Sequence, residues 1–185
     1  MLYLASSSPR RKELLSSAGI EFSVAPSFAE EIKDGNPSEI ASENARRKAL
    51  GASVNASDGF ILGADTVVFA NGECLGKPQD ASDARRMLSL LSGREHSVFT
   101  GVCLRDVENT FIDVRVDECR VWFSEMSEKE IDDYIACGEC MGKAGAYAIQ
   151  GRAGKFIPRI SGSFSCVVGL PLELVSRMLR EHNAV

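Results

Sequence analysis

LASSSPRRKELL, residues 4–15, predicts a strand that runs directly into a helix. Ser8 is a good N-cap residue, and Pro9 suits the first helical position because its missing N–H would be unpaired there in any case. Leu14 and Leu15 begin an apolar stripe that continues the helical pattern. A strand followed at once by a helix start is the unit from which α/β folds are built, so this segment places the chain in that class.

The two arginines of this segment, Arg10 and Arg11, lie at the end of the helix that ordinarily repels cations. Unpaired N–H groups and the helix dipole make an N-terminus electropositive, and such ends favour acidic residues. An anion bound between the arginines would explain their position, because guanidinium groups, hydroxyls and aligned N–H groups all suit phosphate oxygens. A Ser/Pro helix cap carrying two solvated arginines explains the segment equally well.

Length and composition favour one substantial domain over residues 1–185, with room for two lobes. The formal net charge of −5 argues against a nucleic-acid binder, which needs a basic face. The sequence lacks an apolar run of the roughly 18 residues that a membrane span needs, and its first residues do not resemble a secretion signal. Its six cysteines are then expected to be free thiols in a reducing cytoplasm.

Strand and helix patterns alternate along the chain, but two predicted hairpins interrupt the alternation. The predicted strands are residues 2–5, 20–26, 59–70, 73–77, 97–107, 110–123 and 155–160, and the predicted helices are 9–18, 37–50, 80–91, 127–137 and 171–182. Asn36, Asp80 and Ser127 are the expected helix caps, the last in a capping box with Glu130. This order predicts an α/β fold with a mixed sheet instead of a uniform doubly wound one.

A lone carboxylate, Asp65, stands inside the apolar strand ILGADTVV. Such a group is costly to bury unless it pairs, holds a cation or takes part in catalysis. The alternative is an ordinary residue at a strand end that reaches solvent. Lys77 follows shortly after, held between Gly76 and Pro78, and by itself it indicates no more than a solvated turn.

The helix that contains SENARRKA places two candidate pairs four residues apart. Glu43 can pair with Arg47, and Asn44 with Lys48. Lys48 then has no obvious carboxylate partner on its own helix, although a solvated helical face is the ordinary explanation for such a lysine.

The acidic pair Glu30–Glu31 is a candidate for holding a divalent cation, or else an acidic surface loop. Because His96 and His182 are the only histidines, a catalytic metal would have to be held by oxygen atoms, as Mg²⁺ or Mn²⁺ is. The same scarcity disfavours histidine-dependent serine or cysteine hydrolases. The sequence also lacks a P-loop.

Seven segments, in order and at suitable spacing, resemble the Maf family of nucleoside triphosphate pyrophosphatases across essentially the whole chain. They are LASSSPRRKELL, SENARRKA, GADTVV, LGKPQDASDARRML, LSGREHSVFTGV, KAGAYAIQG and ISGSFSCVVGLPLELV. The resemblance implies a cytoplasmic hydrolase that cleaves nucleotides between the α- and β-phosphates, leaving a monophosphate and pyrophosphate. It also implies an elongated α/β fold of the Maf/ITPase-like type with a central nucleotide cleft, a Mg²⁺ or Mn²⁺ cofactor and a homodimer.

The resemblance further implies roles for individual positions. Substrate contacts fall to Ser6, Arg10, Arg11, Lys48, Lys77 and Gln150, of which Arg10, Lys48 and Lys77 also assist catalysis. Asp65 corresponds to the general base, and Glu31, with Asp65, to the metal ligands. The trio Arg11, Lys77 and Gln150 resembles the subgroup that acts on dTTP, UTP and modified pyrimidine nucleotides.

Two positions depart from the usual family pattern: Gly142 stands where an aspartate is common, and Ala148 replaces a common glycine. Two alternatives therefore accompany the expectation of a dTTP/UTP pyrophosphatase. One is a nucleotide-sensing regulator of cell division with little turnover, and the other is a pyrophosphatase for another base, such as 7-methyl-GTP.

Overall fold

A computed structural model describes residues 1–184 and shows helices packed on a seven-stranded sheet. The strands are β1 Leu2–Leu4, β2 Ser23–Val24, β3 Phe60–Ala70, β4 Glu73–Leu75, β5 Glu95–Asp106, β6 Ile112–Trp122 and β7 Arg159–Ser161. The helices are α1 Pro9–Ser17, α2 Pro37–Gly51, α3 Ala81–Leu91, α4 Glu128–Ala136, α5 Phe164–Val168 and α6 Leu172–Glu181. Two 3₁₀ turns, Ala144–Ala146 and Arg152–Phe156, lie between α4 and β7.

The sheet is mixed, with the strand order β2-β1-β3-β5-β6-β7, and β4 also pairs with β3. β1 pairs in parallel with β2 and β3, whereas the pairs that β3 forms with β5, β5 with β6 and β6 with β7 are antiparallel. The prediction of an α/β fold with a mixed sheet is confirmed. Within the described residues 1–184, none of the helices is both long and apolar enough to cross a membrane.

The local signals at helix starts act as predicted. Asn36 accepts a hydrogen bond from Ser38 N, Asp80 accepts one from Asp83 N, and Ser127 forms a complete capping box with Glu130. Ser8 is the N-cap of α1, but its side chain forms no capping bond; instead its own N–H donates to Ser6 Oγ at 3.2 Å.

Three predicted elements are wrong in extent or kind. The strand expected over residues 20–26 is only Ser23–Val24, and the strand expected over 155–160 begins at Arg159, after Pro158, which has no N–H to donate to a sheet. The segment ISGSFSCVVGLP, interpreted as a loop, contains the short helix α5, which ends at Gly169 with φ +121°. Glycine adopts that backbone conformation without a steric penalty.

Buried side chains form two main clusters along the sheet. One packs α1 and α6 against the first half of β3 and includes Leu62, and the other packs α3 and α4 near its second half and includes Val68. Residues 65–67 of β3 therefore lie between the two clusters.

Candidate active site

The edge of β3 that faces away from β5 has two different neighbours. β1 pairs with it as far as Leu62, and β4 pairs with it from Val68 onward. Between them, residues 63–67 have no strand partner on this edge within the described chain. On the other edge, β5 pairs with β3 at every position from Phe60 to Phe69. A cleft opens at this gap, at the carboxyl end of β1, which is where α/β sheets commonly bind ligands.

Asp65 lies in the gap and is 8% exposed. Its Oδ1 atom is 2.5 Å from Lys48 Nζ, and its Oδ2 accepts a hydrogen bond of 3.1 Å from Asn44 Nδ2. Lys48 Nζ is also 2.7 Å from Glu31 Oε1, so one ammonium group joins two carboxylates from different segments. The expected pairing of Glu43 with Arg47 is confirmed at 2.9 Å, but the pairing of Asn44 with Lys48 is wrong, because both side chains turn to Asp65 instead.

Asn44 also fixes the loop that carries Glu31. Its side chain accepts from Ile32 N at 2.8 Å and donates to Ile32 O at 2.9 Å. Sequence reasoning missed this role, and the available signal was an asparagine on a helix face otherwise made of isoleucine and alanine. A buried amide with all of these partners satisfied holds its neighbours in one geometry.

Glycines in the sheet allow α2 to lie close enough for these contacts. A Cβ atom added at Gly63 would lie 2.3 Å from Ala45 O, and one added at Gly101 would lie 2.1 Å from Ala41 O. Gly101 is the cross-strand partner of Asp65. The close approach of the α2 backbone to β3 and β5 thus sets the position of Lys48 beside Asp65.

Arg11 extends from the first turn of α1 into the cleft and is held by neutral oxygens. Its Nε donates to Gly169 O at 2.8 Å, Nη1 to Ser6 Oγ at 3.2 Å and Nη2 to Thr66 Oγ1 at 3.4 Å. Burial lowers the pKa of Arg11 from its usual value, and the charges of Asp65 and Glu31 partly offset that effect. The guanidinium pKa starts so high that the group remains a cation.

The cleft has a volume of about 570 Å³ and brings together all eight residues singled out from the sequence: Ser6, Arg10, Arg11, Glu31, Lys48, Asp65, Lys77 and Gln150. Burial lowers the pKa of Arg10 as well. Burial alone would raise the pKa of Glu31, but the hydrogen bond and charge of Lys48, together with Lys77 and Arg11, bring it below its usual value. Positively charged side chains therefore surround the two carboxylates of the cleft, Glu31 and Asp65.

The opposite wall of the cleft comes from the segment after α4. Gln150 lies on a loop anchored by Ala148 N, which donates to Tyr134 Oη at 3.1 Å, and by Arg152 N, which donates to Glu139 Oε2 at 2.8 Å. Gly142 lines the same wall with φ +71°, and a Cβ added there meets no atom within 4 Å. At this position, where an aspartate is common in the family, the cleft therefore has open space.

The oxygen donors of the cleft suit a hard divalent cation. Glu31 and Asp65 both form ion pairs with Lys48, and carboxylate oxygens are the ligands that Mg²⁺ and Mn²⁺ prefer. A second group of potential ligands, Asp113, Glu181 and His182, lies elsewhere in the described residues. In this group Arg115 forms ion pairs of 2.7 Å to Asp113 and 2.5 Å to Glu181.

Thr66 and Gly169 are two further cleft residues that sequence reasoning missed. Thr66 follows Asp65 directly but points to the opposite face of the sheet, as strand alternation requires. Its partner is Arg11, which no sequence spacing reveals because the two residues are 55 positions apart.

A mixed α/β sheet with cations converging on a buried carboxylate defines a protein class built to bind and transform a polyanion. The chain belongs to the Maf family: the family model described as "Maf-like protein" matches residues 1–182. Similar proteins include the dTTP/UTP pyrophosphatases of Citrifermentans bemidjiense, at 46% identity over 100% of this chain and 96% of the relative, and of Bdellovibrio bacteriovorus, at 47% over 96% of both. The protein of the same name from Maricaulis maris is 49% identical over 96% of this chain and 86% of its own length.

Proposed function

We propose that this protein hydrolyses dTTP, UTP and modified pyrimidine nucleoside triphosphates to the monophosphate and pyrophosphate. The observation that carries the proposal is the convergence of Arg10, Arg11, Lys48 and Lys77 around Asp65 in one cleft. The names of relatives that are 43–49% identical over nearly the whole chain supply the reaction and the base. The enzyme is accordingly a hydrolase of nucleotide anhydride bonds.

In this proposal the cations stabilise the charge that moves to the departing pyrophosphate. They act most strongly because they are fixed in place before the substrate arrives and are partly shielded from water. Arg11 is preset by its three hydrogen bonds, whereas Lys77 extends from an exposed turn and approaches the phosphates from the other side. Ser6 contributes a hydroxyl at the helix start.

Asp65 serves as the general base that orients and deprotonates the attacking water. Its burial and its bonds to Asn44 and Lys48 hold the carboxylate in one orientation, as proton transfer in the transition state requires. Lys48 forms an ion pair with this carboxylate and lies within reach of a phosphate at the same end of the cleft.

A divalent cation, Mg²⁺ or Mn²⁺, held by Glu31 and Asp65, is part of the proposal. When bound, it would neutralise phosphate charge and lower the pKa of a coordinated water. We further propose that residues 1–185 act as one domain in a cytoplasmic homodimer, with a housekeeping role that protects nucleic acids. Size-exclusion chromatography with light scattering tests the dimer.

The decisive experiment incubates the purified protein and Mg²⁺ or Mn²⁺ with dTTP, UTP, 5-methyl-UTP, dCTP, 7-methyl-GTP and dITP. Pyrophosphate release and the identity of the nucleotide product are measured, with Asp65→Asn as the background control. We expect dTTP and UTP to give monophosphate and pyrophosphate at the highest kcat/KM. Turnover confined to 7-methyl-GTP or to purines would contradict the proposed pyrimidine substrates. Release of inorganic phosphate would contradict the proposed cleavage between the α- and β-phosphates.

The open space at Gly142 favours a second candidate, a nucleotide sensor with little turnover. Calorimetry of the same nucleotides distinguishes it, because a sensor binds triphosphate tightly and releases no pyrophosphate. Installing the missing carboxylate as Gly142→Asp provides a matched comparison, since an added Cβ there has no described atom within 4 Å, although the positive φ is less favourable for aspartate than for glycine.

A further inference from the structure

Behind Arg11 lies a pair of threonines, the half-buried Thr66 and the buried Thr100, that directly oppose each other on β3 and β5. Their hydroxyl oxygens are 3.0 Å apart, and Thr66 Oγ1 also accepts from Arg11 Nη2. Thr100 is 0% exposed, at a position where a strand inside a core would ordinarily carry valine. A buried hydroxyl destabilises a core unless it is hydrogen-bonded, so this pair calls for a reason.

The hydrogen bonds in this group run in one direction. Thr100 Oγ1 donates to Cys166 O at 2.8 Å, because a carbonyl oxygen can only accept. With its single proton used there, Thr100 can only accept from Thr66, and Thr66 must then accept from Arg11. The relay is therefore Arg11 to Thr66 to Thr100 to the carbonyl of Cys166, and each hydroxyl both accepts and donates.

Both ends of this relay meet the same short helix. Arg11 Nε donates to Gly169 O, directly after α5, and the relay ends on Cys166 O inside α5. Gly169 has φ +121°, and a Cβ added there would approach Thr66 Oγ1 to 3.3 Å. The guanidinium is thus held between α5 and the sheet by neutral acceptors, which leaves its full charge available to an anion in the cleft.

We propose that Thr100, which is buried behind the cleft and does not line it, is a positioning residue for Arg11. Its hydroxyl fixes the orientation of the Thr66 hydroxyl, and Thr66 in turn fixes the Nη2 edge of the guanidinium. The inference rests on the proposed function only in that Arg11 binds substrate phosphate. A salt bridge could hold Arg11 as firmly, but it would compete with the triphosphate for the same charge.

Two substitutions at Thr100 separate hydrogen bonding from packing. Thr100→Val keeps the shape and removes the hydroxyl, whereas Thr100→Ser keeps the hydroxyl and removes a methyl group. We expect Thr100→Val to weaken binding of the slowly hydrolysed analogue dUpNHpp (2′-deoxyuridine 5′-α,β-imidotriphosphate) about tenfold, as loss of one productive hydrogen bond does. Thr100→Ser should stay within about threefold of wild type. Calorimetry measures binding, and urea unfolding shows whether each variant is folded.

A core variant on the same strand, Val102→Ala, controls for general loosening, because Val102 is buried in the α1–α6 cluster away from the relay. It should unfold more easily than Thr100→Val and still bind the analogue as wild type does. If Thr100→Ser binds as weakly as Thr100→Val, or if Thr100→Val binds like wild type, the positioning role is wrong.

A double-mutant cycle with Arg11→Lys provides the readout that a merely structural role would not move. Lysine keeps the positive charge but cannot donate all three hydrogen bonds that the guanidinium makes. Thr100→Val should therefore have no further effect on analogue binding in the Arg11→Lys protein. Additive losses would overturn the relay. Because binding is measured without turnover, a wild-type protein that binds the analogue but releases no pyrophosphate contradicts the proposed hydrolysis and leaves the relay test intact.

Discussion

Lys48 Nζ lies 2.5 Å from Asp65 Oδ1, and this contact joins α2 to the middle of β3. The lysine is mostly buried, and it also reaches Glu31 at 2.7 Å. A buried ion pair of this kind contributes little net stability, because desolvation of both charges offsets their attraction. Its consequence is positional: the carboxylate at the floor of the cleft has a single orientation.

Asp65→Asn tests the general-base assignment. Asparagine is nearly isosteric but cannot take a proton, so we expect kcat for pyrophosphate release to fall about 100-fold or more, while the circular dichroism spectrum is unchanged. Asp133→Asn is the matched control, because Asp133 is an exposed residue of α4 that pairs with Lys129 outside the cleft. Wild-type turnover in Asp65→Asn would contradict the assignment.

Lys77→Ala tests the contribution of the cation on the turn after β4. Removing one positive group from the substrate cleft should lower kcat/KM for dTTP about 100-fold. Since Lys77 is exposed, the midpoint of urea unfolding should hardly change. Lys129→Ala removes a lysine that is also exposed but lies outside the cleft, and should keep full activity; equal activity of both variants would remove Lys77 from the site.

Gly101→Ala tests whether the close approach of α2 sets the site. The new Cβ would lie 2.1 Å from Ala41 O, a backbone atom, so the helix must move away from the sheet. We expect the free energy of unfolding to fall by about 2 kcal/mol or more, together with a loss of activity, because Lys48 and Asn44 move with α2. Urea titrations measure the first effect and pyrophosphate release the second.

Gly76→Ala is the comparison for stability in that experiment. An added Cβ at Gly76 meets no atom within 4 Å, and its φ is not in the left-handed region. Its unfolding free energy should therefore match wild type within about 0.5 kcal/mol. If both alanine variants are equally stable, the seating of α2 does not depend on Gly101.

His96 predicts a pH dependence of stability. Burial lowers the pKa of His96 to about 4, and Nε2 bonds Tyr147 Oη at 2.8 Å while Nδ1 has no partner among the described residues. In the unfolded chain its pKa is near the ordinary value of about 6.5. The unfolded state therefore binds the proton first, so this contribution is complete above about pH 6.5 and is lost as the pH falls towards 4.

Comparison of variants isolates that contribution from those of the carboxylates. Between pH 7 and pH 4 wild type should lose about 3 kcal/mol more unfolding free energy than His96→Gln, at up to about 1.4 kcal/mol per pH unit. Parallel curves for wild type and His96→Gln would show that the pKa of His96 is the same in the folded and unfolded states.

The local elements of the fold could be predicted because their signals are local. Helix caps such as Asn36 and Ser127 act through residues two or three positions away, and the long hairpin of β5 and β6 is visible as two apolar runs joined by a turn. The length of the second strand was overestimated because its apolar pattern also reflects the partial burial of Phe22. Only Ser23 and Val24 pair with β1.

The candidate site could be predicted in membership but not in its internal contacts. Asp65 is conspicuous as a charge inside an apolar strand, and the family resemblance supplied the cations that surround it. The link from Asn44 to Ile32 and the relay behind Arg11 depend on which side chains the fold brings together across 12 and 55 positions. Helical spacing alone favoured an Asn44–Lys48 pair, but both side chains bond the carboxylate of Asp65 on β3.

The free edge of β3 changes its pairing partner from β1 to β4, and this affects which parts of the cleft can move. Since β5 pairs with this strand without interruption across residues 63–67, the base of the cleft is rigid. Any adjustment to an arriving nucleotide must then come from the loops that rise on either side, at Ser6–Ser8 and at Gly142–Gln150. Selectivity can therefore drift by changes in those walls while the reacting centre keeps its alignment.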